Sequence, residues 1–286
     1  MRFDDFKKCI ISLAEDETVE LRQIQAFLMK YFKNKSIPHL QSLQTFVARC
    51  SMNYPGEVFK NISRCSYNPN IDSIKLQRCN YPKQQVFYCS MYSDTDFAST
   101  SLTCVLETAW EHIEDLNTSR LYCTLSRWQN IRPLNLWILP FSKVSAEKNR
   151  DMKRVKETMD KFIREKGNYS EVNKSLEFMS EVFSEKKNKH IYYKISASFY
   201  NALLFFENFM SKNFDGLLYP SANTEEAGIN LVLKKDLIDN RTLFGDVAIM
   251  YSIQRSPNNP KHLNVGPASN ESRVAKNGSI HFTTIT

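Results

Sequence analysis

Five residues have the types expected around an anionic ligand that carries a cleavable sugar bond: Arg64, Arg78, Tyr88, Glu107 and Ser221. Arginine binds phosphates through planar, bidentate hydrogen bonds. A glutamate carboxylate stabilises positive charge that develops in a transition state. A tyrosine ring stacks on a planar group, and a serine hydroxyl binds a sugar oxygen or a leaving group. Together these residue types suit a site that binds an anionic ligand and stabilises developing positive charge.

Four short stretches of sequence carry these residues. ISRCSYNP and LQRCNYPKQQVFYCS supply Arg64, Arg78, Asn80 and Tyr88, TCVLETAWE supplies Glu107, and DGLLYPSANTEEAGINLVL supplies Tyr219, Pro220, Ser221, Gly228 and Asn230. Taken singly, such residues are more often structural: surface arginines, a core tyrosine, a glutamate at a helix edge and a serine in a turn. Their joint presence in this order favours a common site.

In this order the stretches resemble the RES domain, a family named after its characteristic Arg, Glu and Ser. The matching residues are Arg64, then Arg78-Cys79-Asn80 with Tyr88, then Glu107, then Gly216, Tyr219, Pro220 and Ser221. The resemblance spans about residues 57 to 255, with Gln77 in place of the usual glycine before the second arginine. Glu111, one helical turn beyond Glu107, is an alternative match for the motif glutamate.

The resemblance implies a fold and an active site similar to those of ADP-ribosyltransferases. Members of the family act on NAD+ as toxins of bacterial toxin–antitoxin pairs, by hydrolysis, by phosphorolysis or by ADP-ribosyl transfer to a protein. For this chain it implies that NAD+ is a substrate and that no cofactor is needed. It assigns Glu107, Ser221 and Tyr88 as catalytic residues, and Arg64, Arg78, Tyr88 and Ser221 as NAD+-binding residues. The expected partners are NAD+, an antitoxin protein and a second copy of the chain.

Two other functions stay open: a basic nucleic-acid-binding protein, and a partner-binding module with a degenerate RES site. The formal charge is +7, and the range from Lys143 to Lys166 holds nine Lys or Arg against five Asp or Glu. Such a range is typical of a solvated helix face and also of a polyanion-binding surface. The sequence carries no RRM, KH or zinc-finger signature, so nucleic-acid binding is the less favoured function.

The composition excludes several kinds of site. The seven glycines are all isolated, so no glycine-rich phosphate loop is present and side chains must hold any phosphate. The seven cysteines and five histidines lack metal-site spacing, so no metal centre is expected. The odd cysteine count and the absence of a secretion signal predict free thiols in the cytoplasm. No apolar run is long enough to span a membrane.

Alternating helix-forming and strand-forming stretches predict an α+β fold, with an ADP-ribosyltransferase-like mixed sheet core, an N-terminal helical segment and an inserted helical region. The predicted divisions are a helical segment over 1–52, a catalytic domain over 53–255 with its insertion at about 145–190, and an irregular C-terminal segment over 256–286. The N-terminal segment is expected to end in a helix from Leu40 to Cys50, and to pack on the core or at a subunit contact. Asn277-Gly278 predicts a turn that leads into a final strand, Ser279 to Ile285.

The remaining predicted elements come from apolar periodicity. Strands are predicted in VFKNISRCSY, QVFYCSMY, RLYCTL, LNLWILPF, FDGLLYPSA, GINLVLKKDLI and TLFGDVAIMYSIQ, and helices at 100–116, 148–166, 170–187 and 195–212.

Overall fold

A computed structural model describes residues 1–42, 46–91, 97–114, 120–141, 147, 150–165, 169–186, 189–210, 213–224, 228–256 and 258–283. The chain is a mixed α+β protein, as its sequence predicts. It divides into two units. Unit 1 comprises Met1–Leu43, Asn68–Val86 and Leu134–Lys234, and unit 2 comprises Gln44–Tyr67, Phe87–Pro133 and Lys235–Thr286.

The described elements follow one another along the chain. They are α1 (Phe3–Glu15), α2 (Leu21–Phe32), β1 (His39–Ser42), β2 (Phe46–Asn53), β3 (Val86–Met91), α3 (Phe97–Glu114), β4 (Leu121–Asn130), β5 (Leu134–Ile138), α4 (Arg150–Glu165), α5 (Tyr169–Ser184), α6 (Lys189–Glu207), β6 (Gly216–Pro220), β7 (Ile229–Lys234), α7 (Asp236–Asp239), β8 (Leu243–Ser256), β9 (Asn259–Pro267) and β10 (Ser272–Arg273). Two short 3-10 helices, Ile62–Cys65 and Ile71–Ser73, lie between β2 and β3. In the described part of the chain, no helix is both long enough and apolar enough to cross a bilayer.

Unit 1 holds a mixed sheet in the order β1-β5-β6-β7. The strands β5 and β6 are parallel, whereas β1 pairs with β5 and β6 pairs with β7 in antiparallel fashion. All residues of β6 are buried, which is typical of a strand that is covered on both faces. Helix α5 packs against β6, and α1 and α2 pack on α5 and α6, so the expectation that the N-terminal helices pack on the core is confirmed.

Unit 2 holds antiparallel strands in the order β3-β2-β4-β8-β10, with β9 on β8. Helix α3 packs against β2 and β4. Its apolar stripe, Cys104, Val105, Ala109 and Ile113, forms one cluster with residues of three strands, including Ala48, Cys50 and Cys123. The short 3-10 helix Ile62–Cys65 also lies against β2 and β4.

The predicted helix from Leu40 to Cys50 is wrong, because this range supplies β1 and β2. Apolar residues recur there at a spacing that also suits a helix, and a short run cannot distinguish the two structures. The strand form prevails because β2 pairs with β3 on one edge and with β4 on the other. A chain that starts near Asn53 would therefore lack the strand that joins these neighbours, not merely a helical extension.

Two further expectations are wrong. The run VFKNISRCSY forms no strand; it holds the 3-10 helix Ile62–Cys65, which the Asn61 side chain caps by accepting a hydrogen bond from Ser63. The segment after residue 255 is not irregular, since β9 pairs with β8.

The predicted final strand does not form over its described residues, which reach position 283, and its last residues lie outside the described ranges. Gly278 does adopt the positive φ of a turn, at 82°. The chain after it forms an isolated bridge between Ser279 and Asn61, with hydrogen bonds from Ile280 to the Lys60 carbonyl and from Ile62 to the Gly278 carbonyl. Across the turn, Ala275 donates to the Ser279 carbonyl, but the described residues after Gly278 form no strand.

The other predicted strands and helices are confirmed as β3 to β8 and as α3 to α6. Helix α6 begins six residues earlier than predicted and ends at Glu207. The following residues, which are predicted to be helical, lie outside the described residues: 115, 116, 148, 149, 166, 187, 211 and 212.

Candidate functional site

Helix α3 places Glu107 over the centre of unit 2. Cys104 donates from Sγ to the Ala48 carbonyl at 3.2 Å, and Thr108 donates from Oγ1 to the Cys50 carbonyl at 3.3 Å. These bonds fix the helical turn that contains Glu107 against β2. The Glu107 side chain is half-buried.

Tyr88 belongs to the same face of unit 2 as α3. In the antiparallel register, Ala48 of β2 lies opposite Ser90 of β3, so their side chains point to one face. Tyr88 is two residues from Ser90 on a continuous strand, and its half-buried side chain therefore projects from that face too. The structure thus brings Tyr88 and Glu107 to one side of the unit 2 sheet.

Arg64 lies on the other face. It belongs to the 3-10 helix Ile62–Cys65. That helix faces Ser126, because the Ser126 side chain forms a hydrogen bond with Cys65. This bond lowers the Cys65 pKa and offsets part of the rise that burial causes. Ser126 lies opposite Arg49 in the antiparallel register. Arg49 is the neighbour of Ala48 on β2, so the side chains of Arg49 and Ser126 project to the face opposite that of Ala48, away from α3. Arg64 therefore does not share a face with Tyr88 and Glu107.

The Arg64 guanidinium already has an anionic partner. Its Nη2 atom lies 2.8 Å from Oε1 of Glu57, and its plane lies over the Phe59 ring at 4.9 Å. The Tyr54 N–H and the Arg64 guanidinium hold the pKa of Glu57 below its ordinary value. About half of the Arg64 side chain is exposed, at 49%. This geometry is that of a surface ion pair, in which Oε1 of Glu57 accepts from both Nε and Nη2 of Arg64.

Arg49 is a half-buried cation that is absent from the residues predicted from the sequence. Its Nη1 donates to the Tyr88 carbonyl at 2.5 Å, and its guanidinium lies over the Phe87 ring at 5.2 Å. Its Nε atom is buried and has no hydrogen-bond partner within the described ranges. Burial lowers the Arg49 pKa, because removal from water disfavours the charged form. The signal for it in the sequence is an arginine inside the apolar run FVARCSM.

In unit 1, Arg78 and the Tyr-Pro-Ser segment meet at one residue. The buried Arg78 donates from Nη1 to the carbonyl oxygen of Phe183, in the last turn of α5. The Phe183 ring packs edge-on against the ring of Tyr219 at 5.2 Å. Two motifs that are far apart in the sequence therefore contact the same residue: Arg78 contacts the backbone of Phe183, and Tyr219 contacts its ring.

The contacts of Arg78 have a structural explanation as well. The last carbonyls of a helix lack partners within the helix, and a guanidinium placed there satisfies one of them and offsets the negative end of the helix dipole. Asn80 is also buried, and its side chain donates to the carbonyls of Lys75 and Tyr81, so it ties the motif loop together.

Ser221 lies where β6 ends. Its N–H donates to the Gly228 carbonyl at 2.9 Å, which continues the pairing of Pro220 with Ile229 by one residue. Tyr219 lies opposite the buried Asn230 in the same register. The Ser221 side chain is completely buried, so it contributes to the packing at this strand end whatever else it does.

A groove of about 530 Å³ lies in unit 1 beside α2 and α6. Its lining includes Tyr81, Arg22 and Lys194, and none of the five predicted site residues. Within the described part of the chain, no group of three His, Cys, Asp or Glu side chains is arranged to hold a metal ion.

No protein-family model matches the chain, and no curated protein matches it significantly. The resemblance to the RES family therefore rests on the motif residues themselves.

The thiols are expected to differ sharply in reactivity. Cys9 is exposed, whereas the six other cysteines are buried. Burial raises the pKa of Cys65 and of Cys104 to about 12, so at pH 7 to 9 they stay protonated, and the thiol is far less nucleophilic than the thiolate.

We expect one fast equivalent with a disulfide reagent such as DTNB at pH 8, and the remaining six only after unfolding in urea. Cys9→Ser should remove the fast equivalent. Two or more fast equivalents in the folded wild type would contradict the buried placement of these thiols.

Proposed function

We propose that the chain is a RES-like enzyme that binds NAD+ and cleaves its nicotinamide–ribose bond. The observation that carries the proposal is the meeting of Arg78 and Tyr219 at Phe183, because residues of two separate RES-like motifs converge there. The shared face of Tyr88 and Glu107 adds support, because it relates the motif of Arg78 and Tyr88 to the motif of Glu107. By the same resemblance, the proposed biological role is that of a toxin restrained by an antitoxin protein.

The chemistry assigns one role to each side chain. Arg78 binds the pyrophosphate through in-plane N–H donors. Tyr88 stacks on the nicotinamide ring or closes the pocket over it. As the glycosidic C–N bond breaks, its electron pair leaves with nicotinamide, and positive charge develops on the ribose. The Glu107 carboxylate stabilises that charge or holds a ribose hydroxyl, and the Ser221 hydroxyl contacts the ribose or the leaving group.

The direct test is release of nicotinamide. Purified full-length protein is incubated with NAD+, with and without inorganic phosphate, and the products are separated by liquid chromatography and identified by mass spectrometry. Nicotinamide with ADP-ribose indicates hydrolysis, nicotinamide with a phosphorylated ADP-ribose indicates phosphorolysis, and a mass increase on a protein indicates transfer. Absence of nicotinamide under both conditions overturns the proposed reaction.

Arg64 and Arg78 are expected to behave differently. Since Arg64 lies on the face opposite Glu107 and is paired with Glu57, Arg64→Ala should change KM for NAD+ by less than about twofold. Loss of a surface ion pair should also change stability by only about 0 to 1 kcal/mol. Arg78→Ala should raise KM by about tenfold or more, because a charge-assisted contact to the pyrophosphate is lost.

Steady-state kinetics of nicotinamide release distinguish the two variants, with circular dichroism to verify their folding. A large rise in KM for Arg64→Ala would restore its sequence-predicted role as an NAD+-binding residue and would contradict its exclusion from the site.

The charge pattern of α4 bears on the alternative of polyanion binding. Lys153, Arg154 and Lys161 are exposed, but so are Glu157 and Glu165 on the same helix. Lys156 and Asp160 form an i,i+4 pair at 3.4 Å. Interspersed charges of both signs are typical of a solvated helix face, so this geometry favours the enzyme proposal over a nucleic-acid-binding function.

A further inference from the structure

Arg78 is held by two helices that lie outside the RES-like motifs. Its Nη1 donates to the carbonyl of Phe183 in α5, and its guanidinium carbon lies 5.3 Å from the centroid of the Tyr193 ring in α6. The carbonyl lies at one edge of the guanidinium, and the guanidinium carbon lies over the face of the Tyr193 ring. These two contacts together restrict the position of the guanidinium.

An aromatic ring and an anion use different parts of a guanidinium. The ring interacts with the face of the cation, whereas phosphate oxygens accept hydrogen bonds from N–H groups that lie in its plane. A ring stacked on Arg78 therefore does not compete with a phosphate, and it reduces the freedom that the side chain loses when the ligand binds. Because Arg78 is buried, this cation–π contact acts away from bulk water, where it is strongest.

We propose that Tyr193 is a positioning residue of the NAD+ site, which fixes the plane of the Arg78 guanidinium for the pyrophosphate. The ring, not the hydroxyl, carries this role, since the contact is between the guanidinium and the ring centroid. The inference rests on the proposed function. It gives α6, a helix that contains none of the motif residues, a role in substrate binding.

The chain provides a matched control at the neighbouring position. Tyr192 is half-buried on the same helix, as is Tyr193, and of these two rings only that of Tyr193 has a guanidinium from the described residues over it. Tyr193→Ala should raise KM for NAD+ by about 5- to 30-fold, the range of a desolvated cation–π contact, with kcat within about twofold. Tyr193→Phe should stay close to wild type because it keeps the ring, and Tyr192→Ala should show no rise in KM.

A double-mutant cycle tests whether Tyr193 acts through Arg78. The variant Arg78→Ala/Tyr193→Ala should have the same KM as Arg78→Ala alone, because the ring has nothing left to position. Fully additive effects on log KM would overturn the inference, as would equal KM values for Tyr193→Ala and Tyr192→Ala. Circular dichroism and thermal melting of all variants identify any loss of folding, and Tyr193→Leu, which removes the ring but keeps an apolar side chain, provides the readout if Tyr193→Ala does not fold.

Binding of ADP-ribose, measured by calorimetry, separates this inference from the proposed reaction. If wild type releases nicotinamide and Tyr193→Ala behaves as Tyr192→Ala does, the positioning role fails and the reaction stands. If wild type binds ADP-ribose without releasing nicotinamide, and Tyr193→Ala weakens that binding, the reaction fails and the positioning role stands. If wild type neither binds ADP-ribose nor releases nicotinamide, both are overturned.

Discussion

Replacing Glu107 with glutamine is expected to lower kcat for nicotinamide release by about 100- to 1000-fold, the usual cost of losing one preorganised electrostatic contact. Glutamine keeps the size and much of the hydrogen bonding of the side chain but removes its negative charge. That charge is needed when the ribose becomes cationic, not when NAD+ binds, so KM should stay within about threefold of wild type. The measurement is initial-rate kinetics at several NAD+ concentrations.

Glu111→Gln is the matched control for this prediction, because it makes the same change one helical turn later on α3. Its side chain lies outside the described residues, and the sequence leaves it as an alternative match for the motif glutamate. Loss of activity in Glu111→Gln with full activity in Glu107→Gln would show that the motif match is displaced by one turn. Full activity in both variants would show that neither carboxylate stabilises the transition state.

Local sequence pattern predicted the elements whose own residues favour one structure. The apolar stripe of α3 recurs at helical spacing, and the runs that form β3 and β4 are rich in strand-forming residues. The pattern failed where distant pairing decides the structure. Residues 40–50 became strands because β2 has neighbours on both edges, and β9, with its prolines, asparagine and glycine, is a strand through its hydrogen bonds to β8.

In the candidate site, too, local sequence pattern predicted some features and distant pairing decided the others. The sequence identified residue types in an order that resembles one family, and it placed Glu107 correctly on a helix. It could not assign a face to each residue, because the face depends on strand register, and a shift of one residue sends every side chain to the other side. The pairing of Ala48 with Ser90 brings Tyr88 to the α3 face, and that of Arg49 with Ser126 takes Arg49 to the opposite face.

The N-terminal helices are joined to the rest of unit 1 by an aromatic cluster around Phe6. The Phe6 ring stacks on Tyr31 of α2 at 3.7 Å between centroids and meets Phe178 of α5 edge-on at 6.0 Å. Phe27 and Phe32 of α2 lie at 5.9 Å each. Phe6 is completely buried, so one side chain of α1 contacts two other helices within the core.

Phe6→Ala is therefore expected to lower the free energy of unfolding by about 3 to 5 kcal/mol, since it loses both the burial of the ring and the packing around the cavity that remains. Phe6→Leu should cost less, because it fills most of that volume. Phe209→Ala makes the same change at a ring that is 77% exposed, and should alter stability by no more than about 0.5 kcal/mol. Urea unfolding followed by circular dichroism at 222 nm measures all three.

Equal midpoints for Phe6→Ala and Phe209→Ala would mean that α1 adds nothing to the stability of unit 1. A selective loss in Phe6→Ala would instead make α1 part of the support for α5, the helix whose last turn holds Arg78.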